Sequence, residues 1–205
     1  MMYSLLAVLL SYLLGSIPTG LWLGQWLRGV DIREHGSKNI GATNTLRVLG
    51  KGLGAAALLG DALKGLIPVL LFSHLSDWPY APLACGVAAI VGHLAPLYLK
   101  FKGGKGVATS AGVFLALCPI PTLAAVAVFA ITVLTTRLVS AASMLSAVAM
   151  TLIVYFVSHD VVTAPAHLLP NDYTLRIVVT VIAVLIIYRH RGNIQRILKG
   201  TENKI

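Results

Sequence analysis

Three stretches of this sequence gather the side chains that can hold an anion. They are His35-Gly-Ser-Lys-Asn-Ile-Gly-Ala-Thr-Asn44 running on to Arg47, Phe101-Lys-Gly-Gly-Lys-Gly-Val-Ala-Thr109, and Arg189-His-Arg-Gly-Asn-Ile-Gln-Arg196. Each mixes cations, glycines and short hydroxyl or amide side chains. Glycine lets backbone N–H groups come close to a ligand, a helix N-terminus offers N–H groups with no partner inside the helix, and Lys or Arg supplies the countercharge. Together these make a phosphate site.

Within the second stretch, Lys102, Gly103, Gly104, Lys105 and Gly106 lead straight into an apolar segment from about Val107. Loop amides, the dipole of that helix and a first-turn hydroxyl such as Thr109 can then face one phosphate. It is not a nucleotide-hydrolysing P-loop, which needs Ser or Thr directly after the Lys of Gly-x-x-x-x-Gly-Lys, whereas Gly106 and Val107 follow Lys105. The competing reading is a flexible basic loop on anionic headgroups. In the first stretch, Ser37, Asn39, Gly41, Thr43 and Asn44 are also good turn and cap residues. Arg47 just downstream tips the reading toward a ligand, because its forked guanidinium suits phosphate beside groups that can hold an alcohol. In the third, His190 and Asn193 point to one side if the helix continues through them; a basic tail held at headgroups is the alternative.

Two further positions stand out. Asp61 and Lys64 lie three apart inside an apolar segment, where charges are either paired with each other or support a site. His93, with Pro96, is expected to orient a loop rather than to bind metal, since no second ligand cluster accompanies it. Cys85 and Cys118 read as buried small hydrophobes. No metal site and no cofactor is expected, and nucleic acid is not an expected partner.

The elements that must carry these residues are transmembrane helices. The chain has 205 residues, 57% of them apolar and only 11% charged, with a mean hydropathy of +0.84, where an ordinary soluble domain is about a quarter charged. Apolar runs near the roughly 20 residues that cross a bilayer recur throughout, which predicts a single polytopic domain over 1–205 in contact with lipid. Spans are expected near residues 3–25, 53–75, 80–99, 106–118, 121–136, 140–158 and 174–188, the fourth and fifth separated by a turn at Cys118-Pro-Ile-Pro121. The first Arg is Arg28, after the first apolar run, the reverse of a secretory signal, so that run is expected to stay uncleaved.

Charge decides the count, because Lys and Arg accumulate in cytoplasmic loops. With seven spans, the N-terminus outside and the C-terminus cytoplasmic, fourteen of the sixteen Lys and Arg fall inside; Arg176 lies outside and Lys64 within a span. Six spans would split them nine against six. All three anion-holding stretches are then cytoplasmic, and Asp77, Asp160 and Asp172 lie outside. No internal repeat is visible, which weakens a transporter of duplicated architecture.

Taken together, the Ser37 to Arg47 stretch, Gly92-His-Leu-Ala-Pro96 with Phe101 to Thr109, and the Arg189 to Glu202 tail resemble the three motifs of the acyl-phosphate-dependent glycerol-3-phosphate acyltransferases of bacteria, the PlsY family, in order and spacing across nearly the whole chain. The resemblance implies a seven-helix multi-pass protein of the bacterial cytoplasmic (inner) membrane with its active site facing the cytoplasm. It implies a reaction in which the 1-hydroxyl of glycerol 3-phosphate takes the acyl group of an acyl phosphate, giving lysophosphatidic acid and inorganic phosphate, the first step of phospholipid synthesis. An upstream enzyme that forms acyl phosphate is implied as a functional partner. By motif position, Ser37, Arg47, Lys105, His190 and Asn193 would hold and orient glycerol 3-phosphate and the reacting groups. Ser143 of Ser140-Ala-Ala-Ser143 would join them, although Ala141 stands where the family pattern has Leu. The Lys102 to Gly106 loop, with Asn39 and Thr43 nearby, would take the acyl phosphate.

Two competing readings differ in geometry. A carrier for an organic phosphate needs its anion site near the bilayer midplane with access from both faces, and a lipid-binding scaffold leaves the recurrent Ser, Asn, Thr and Gly unexplained. His167-Leu-Leu-Pro-Asn-Asp172 fits the His-x-x-x-x-Asp pattern of a different acyltransferase family, but the expected topology puts it on the outer side, opposite the cationic loops.

Overall fold

The computed structural model describes residues 2–157 and 173–205, and every regular element among them is helical. In chain order they are α1 (Met2–Gly15), α2 (Thr19–Arg28), α3 (Ala42–Leu49), α4 (Lys51–Leu70), α5 (Ala81–Leu94), α6 (Val107–Leu117), α7 (Pro119–Thr136), α8 (Val139–Phe156), α9 (Tyr173–Arg189) and α10 (Arg191–Leu198), with short 3-10 turns at Phe72–Leu75 and Leu97–Leu99. Among the described residues, Lys51–Leu75, Ala81–Leu99, Pro119–Thr136 and Val139–Phe156 are long and apolar enough to cross a bilayer. The number rises to six if the bent pairs α1–α2 and α9–α10 each make one crossing. Helix α6 is the short one: its 11 residues reach about 16 Å at the α-helical rise, roughly half of a hydrocarbon core. Leu58, Leu59, Ile131, Leu134 and Phe156 are all more than half exposed, a surface that suits lipid rather than water.

One expected span is not a single straight helix. The first, expected over 3–25, breaks at Ser16-Ile17-Pro18 and bends by 48°, because Pro18 has no N–H to continue the ladder. The last, expected over 174–188, lies within α9, and the chain bends by 55° just beyond it, at His190. The helix therefore does not run on from His190 to Asn193: His190 takes up φ −97°, ψ 6° and caps the next helix. The Cys118-Pro119 break falls where the prolines predict it, with Cys118 out of helical geometry at φ −149°, ψ 75° and Pro119 opening α7. The long polar connection after Arg28 holds an unexpected two-turn helix, α3. Asp160, His167 and Asp172, expected on the outer side, lie outside the described residues.

Contacts gather the chain into two compact units, residues 1–116 and 117–205. In the first, α1, α4 and α5 pack together, and small residues let backbones touch. A Cβ on Gly15 would run into the Ala89 backbone, and one on Gly92 into the Tyr12 carbonyl; Gly65 and Gly112 are closed off in the same way by Thr109 and Ala62 across α4 and α6. Between α2 and α3, Leu21, Ile32 and Ile40 form a buried cluster on which Val48, Leu49 and Leu99 also pack. That cluster supports both the 30–41 segment and, through Leu99, the start of the glycine loop. In the second unit α7 packs along α8 and α8 along α9, and the tail returns so that the Ile205 N–H donates to the Arg137 carbonyl at 3.1 Å.

Candidate functional site

The 30–47 segment is organised around Asn44. This side chain, 1% exposed, donates through Nδ2 to the carbonyls of Ile32 (2.7 Å), Asn39 (2.9 Å) and His35 (3.2 Å), and accepts the Ser37 N–H on Oδ1 (2.8 Å). Its amide is thus engaged with the loop, and Asn44 frames the segment. Asn39 makes a local turn by accepting the Gly41 N–H at 2.9 Å. Gly36 has φ +58° and a Cβ there would strike the Asn44 oxygen, so only glycine fits. Lys38 also lies in the left-handed region, at φ +58°. The frame leaves Ser37 exposed, with Thr43 and Arg47 half-buried on the first two turns of α3. At the edge of the segment, the Arg33 guanidinium hydrogen-bonds Asp31 and holds its carboxyl below the usual range.

The second stretch forms a tight loop seated on the C-terminal end of α5. Lys100 and Phe101 both take left-handed φ, +51° and +63°, an arrangement that costs about 1–2 kcal/mol per non-glycine residue. The Phe101 N–H donates to the Pro96 carbonyl at 2.9 Å and that of Lys102 to Leu99 at 3.1 Å. Gly103 and Gly104 then pass so close to α5 that a Cβ on Gly103 would strike the His93 and Leu94 carbonyls, and one on Gly104 the His93 ring. The loop ends at Gly106 with φ +82°, and α6 begins at Val107 as the sequence predicts. Lys105 is half-buried, Lys102 exposed, and in the first turn of α6 the hydroxyls of Thr109 and Ser110 are buried without a hydrogen-bond partner.

Beneath this loop, Asp61 and Lys64 are 2% and 4% exposed and pair at 2.8 Å. Lys64 also donates to the Ile17 carbonyl at 2.6 Å, a group at the α1–α2 break close to Pro18, and Asp61 Oδ1 faces His93 Nδ1 at 3.8 Å. Asp61 is thereby turned to Lys64 and His93.

In the second unit, His190 is 2% exposed and its Nδ1 lies 2.8 Å from the Ile186 carbonyl, which leaves Nε2 as the ring nitrogen away from the helix. The bend places Asn193 in the first turn of α10, where its amide donates to Glu202. Glu202 also accepts from Ser140 at 2.8 Å and from Arg196 at 2.7 Å. Burial pushes its carboxyl up, yet the hydrogen bonds from Asn193, Ser140 and Arg196 outweigh this and hold it below the ordinary carboxylate range. Ser143 instead turns its hydroxyl back to the Val139 carbonyl at 2.8 Å.

Within the first unit, then, Ser37, Asn39, Gly41, Thr43, Asn44 and Arg47 form one group and Lys102 to Gly106, Thr109 and Asp61 another, both resting on the Leu21 cluster or the α5 terminus. Within the second, His190 and Asn193 flank the bend, and Ser143 stands apart from the Glu202 network. Sequence reasoning missed Glu202 and Ser140. Glu202 is the one acidic side chain after Asp172 among six Lys and Arg, which marked it as a countercharge.

Fold and site define a protein that is integral to a membrane, all-helical among its described residues, with glycine- and cation-rich loops between its apolar helices. The family model for Glycerol-3-phosphate acyltransferase matches residues 5–200. A glycerol-3-phosphate acyltransferase of Syntrophotalea carbinolica is 46% identical over 96% of this chain and 95% of its own, and one of Bacillus subtilis is 44% identical over 98% and 96%. The crystal structure of PlsY (YgiH), an integral membrane glycerol 3-phosphate acyltransferase, in its glycerol 3-phosphate form matches with a TM-score of 0.86 at 38% identity, over 98% of this chain and 95% of that one. Its lysophosphatidic acid form matches with a TM-score of 0.83 at 37% identity. This chain belongs to the glycerol-3-phosphate acyltransferase family.

Proposed function

We propose that the protein transfers a fatty acyl group from an acyl phosphate to the 1-hydroxyl of glycerol 3-phosphate. The observation that carries the donor assignment is the glycine loop: backbone too close to α5 for any side chain at Gly103 or Gly104, two lysines, and the N-terminus of α6 directly behind. That is a cradle for a phosphate group, and a phosphate on the acyl carbon gives it a donor to hold. Ser37, Arg47, Lys105, His190 and Asn193 hold and orient glycerol 3-phosphate and the reacting groups. Asn39, Gly41, Thr43, Lys102, Gly103, Gly104, Gly106 and Thr109 complete the two phosphate sites. Ser143 keeps a lesser part, and Asn44 and Asp61 act by holding the loops in shape.

In the reaction the acceptor oxygen attacks the acyl carbon, the bond from that carbon to the phosphate oxygen breaks, and inorganic phosphate departs. The hydroxyl proton passes to His190 Nε2 or to a substrate phosphate oxygen. An acyl phosphate is already activated, so no covalent acyl-enzyme is needed; alignment of one hydroxyl and neutralisation of two phosphates supply the rate. The seven-span topology, with all three stretches at the cytoplasmic face of a bacterial inner membrane, rests on the distribution of Lys and Arg. It allows donor from an upstream acyl-phosphate-forming enzyme to enter from bilayer or cytoplasm. One functional unit over 1–205 is part of the same reading.

The test is a variant panel in purified protein. Ser37→Ala and Arg47→Ala are expected to act chiefly on glycerol 3-phosphate, and Lys102→Ala with Gly103→Ala on the donor. Loss of activity in His167→Ala with retention in Lys105→Ala would overturn the site assignment.

A further inference from the structure

We propose that His93 is a positioning residue for the donor-phosphate loop, with its ring held from behind by the buried Asp61–Lys64 pair. The proposal rests on the reading of residues 102–106 as the donor site and adds the device that shapes it.

His93 lies one residue before the end of α5 and is 4% exposed. Its backbone carbonyl accepts the Gly104 N–H at 3.1 Å. Its ring fills the place where a Gly104 side chain would start: a Cβ there would strike Nε2 and come within 3.0 and 3.1 Å of Cε1 and Cδ2. Gly104 is thus gripped twice by one residue, and the direction of the amides that follow depends on where the ring stands. Gly103 rests on the same turn, against the His93 and Leu94 carbonyls and Pro96. The Tyr12 hydroxyl, donating to the Ala95 carbonyl at 2.9 Å, ties that turn to α1.

Behind the ring, Asp61 Oδ1 faces Nδ1 at 3.8 Å and is held by Lys64 at 2.8 Å, which in turn reaches the Ile17 carbonyl at 2.6 Å. A buried ion pair is an expensive way to fill a helix interior, since apolar side chains of equal volume often serve stability as well or better. Its presence under this loop is explained if the carboxylate sets the orientation of the ring. No group of three metal-ligating side chains occurs among the described residues, and His93 acts through Gly104 rather than on the reacting atoms. A displacement of the cradle by about 1 Å is enough to cost on the order of 100-fold in rate.

The experiment measures steady-state kinetics with palmitoyl phosphate and glycerol 3-phosphate for the parent protein, Lys102→Ala, His93→Ala, Gly104→Ala and the His93→Ala/Gly104→Ala double variant. His93→Ala is expected to raise the donor KM about tenfold or more while leaving the acceptor KM within about twofold. Gly104→Ala, forced against the ring, is expected to be far worse. The double variant, with the ring removed and room made for the new methyl, is expected to recover at least about tenfold over Gly104→Ala alone, the coupling that a double-mutant cycle reads. Should His93→Ala not yield folded protein, Asp61→Asn, which keeps the volume and removes the charge, must show the same donor-selective rise. Equal effects on both substrates, or a double variant that costs the product of the two singles, overturns the positioning role while Lys102→Ala still raises the donor KM. If Lys102→Ala and Gly104→Ala both leave the donor KM unchanged, the donor-site reading itself falls.

Discussion

Replacing Lys64 by methionine removes a charge while keeping much of the volume, and the structure sets what this costs. The ammonium has two partners, Asp61 at 2.8 Å and the Ile17 carbonyl at 2.6 Å, and both charged side chains are almost wholly buried. Without Lys64 the Asp61 carboxylate is left in the interior with only His93 nearby, at 3.8 Å. Removing one partner of such a pair costs about 3–5 kcal/mol, and the cost is mostly that of the stranded charge. For a chain of this size that is on the order of 10 °C in Tm, read by thermal denaturation of the detergent-purified protein. The double variant Asp61→Leu/Lys64→Met strands no charge and is expected to regain most of the loss. If the double variant is as unstable as the sum of the two singles, the pair is not the coupled unit described here.

Three further outcomes follow from particular contacts. Glu202→Gln removes the charge that gathers Asn193, Ser140 and Arg196, a loss of roughly 2 kcal/mol for charge-assisted bonds. Because the folded carboxyl lies below its ordinary value of 4.5, this stability is fully present above that pH and fades as pH falls through the folded value. The Tm difference between parent and variant is therefore expected to be constant near neutrality and to shrink in acid; a constant difference down to pH 3 would contradict it. Gly36→Ala forces a methyl against Asn44 at a positive φ and is expected to raise the KM for glycerol 3-phosphate, with little change in that for the donor. Arg47→Lys keeps the charge and loses the fork, which is expected to weaken the same substrate about 10- to 100-fold for one charged hydrogen-bonded contact; parity with the parent in an acceptor titration would remove Arg47 from the site.

Much of this architecture was legible in the sequence because lipid imposes it. Backbone in a bilayer must satisfy itself, so apolar runs become helices, and the Cys118-Pro119 break and the start of α6 after Gly106 came straight from proline and glycine chemistry. The two bends were harder. Pro18 signalled the first, but its consequence, an Ile17 carbonyl taken by Lys64 forty-seven residues on, is a tertiary contact no local pattern contains. At His190 nothing local announces a break, so the sequence leaves open whether the helix continues through His190 and Asn193. The chemistry-bearing stretches stood out by composition, yet composition does not separate a ligand-holding side chain from one that holds the loop. Asn44, Asp61 and Glu202 each bind partners within the chain, and those contacts are not contained in the composition.

The central claim is that the glycine loop holds the phosphate of an acyl phosphate. Purified protein given glycerol 3-phosphate with either palmitoyl phosphate or palmitoyl-CoA tests this directly, with released phosphate and lysophosphatidic acid followed together. The account predicts equal amounts of the two products from palmitoyl phosphate, and no lysophosphatidic acid from palmitoyl-CoA. Comparable rates from both donors, or product from the CoA ester alone, would contradict it.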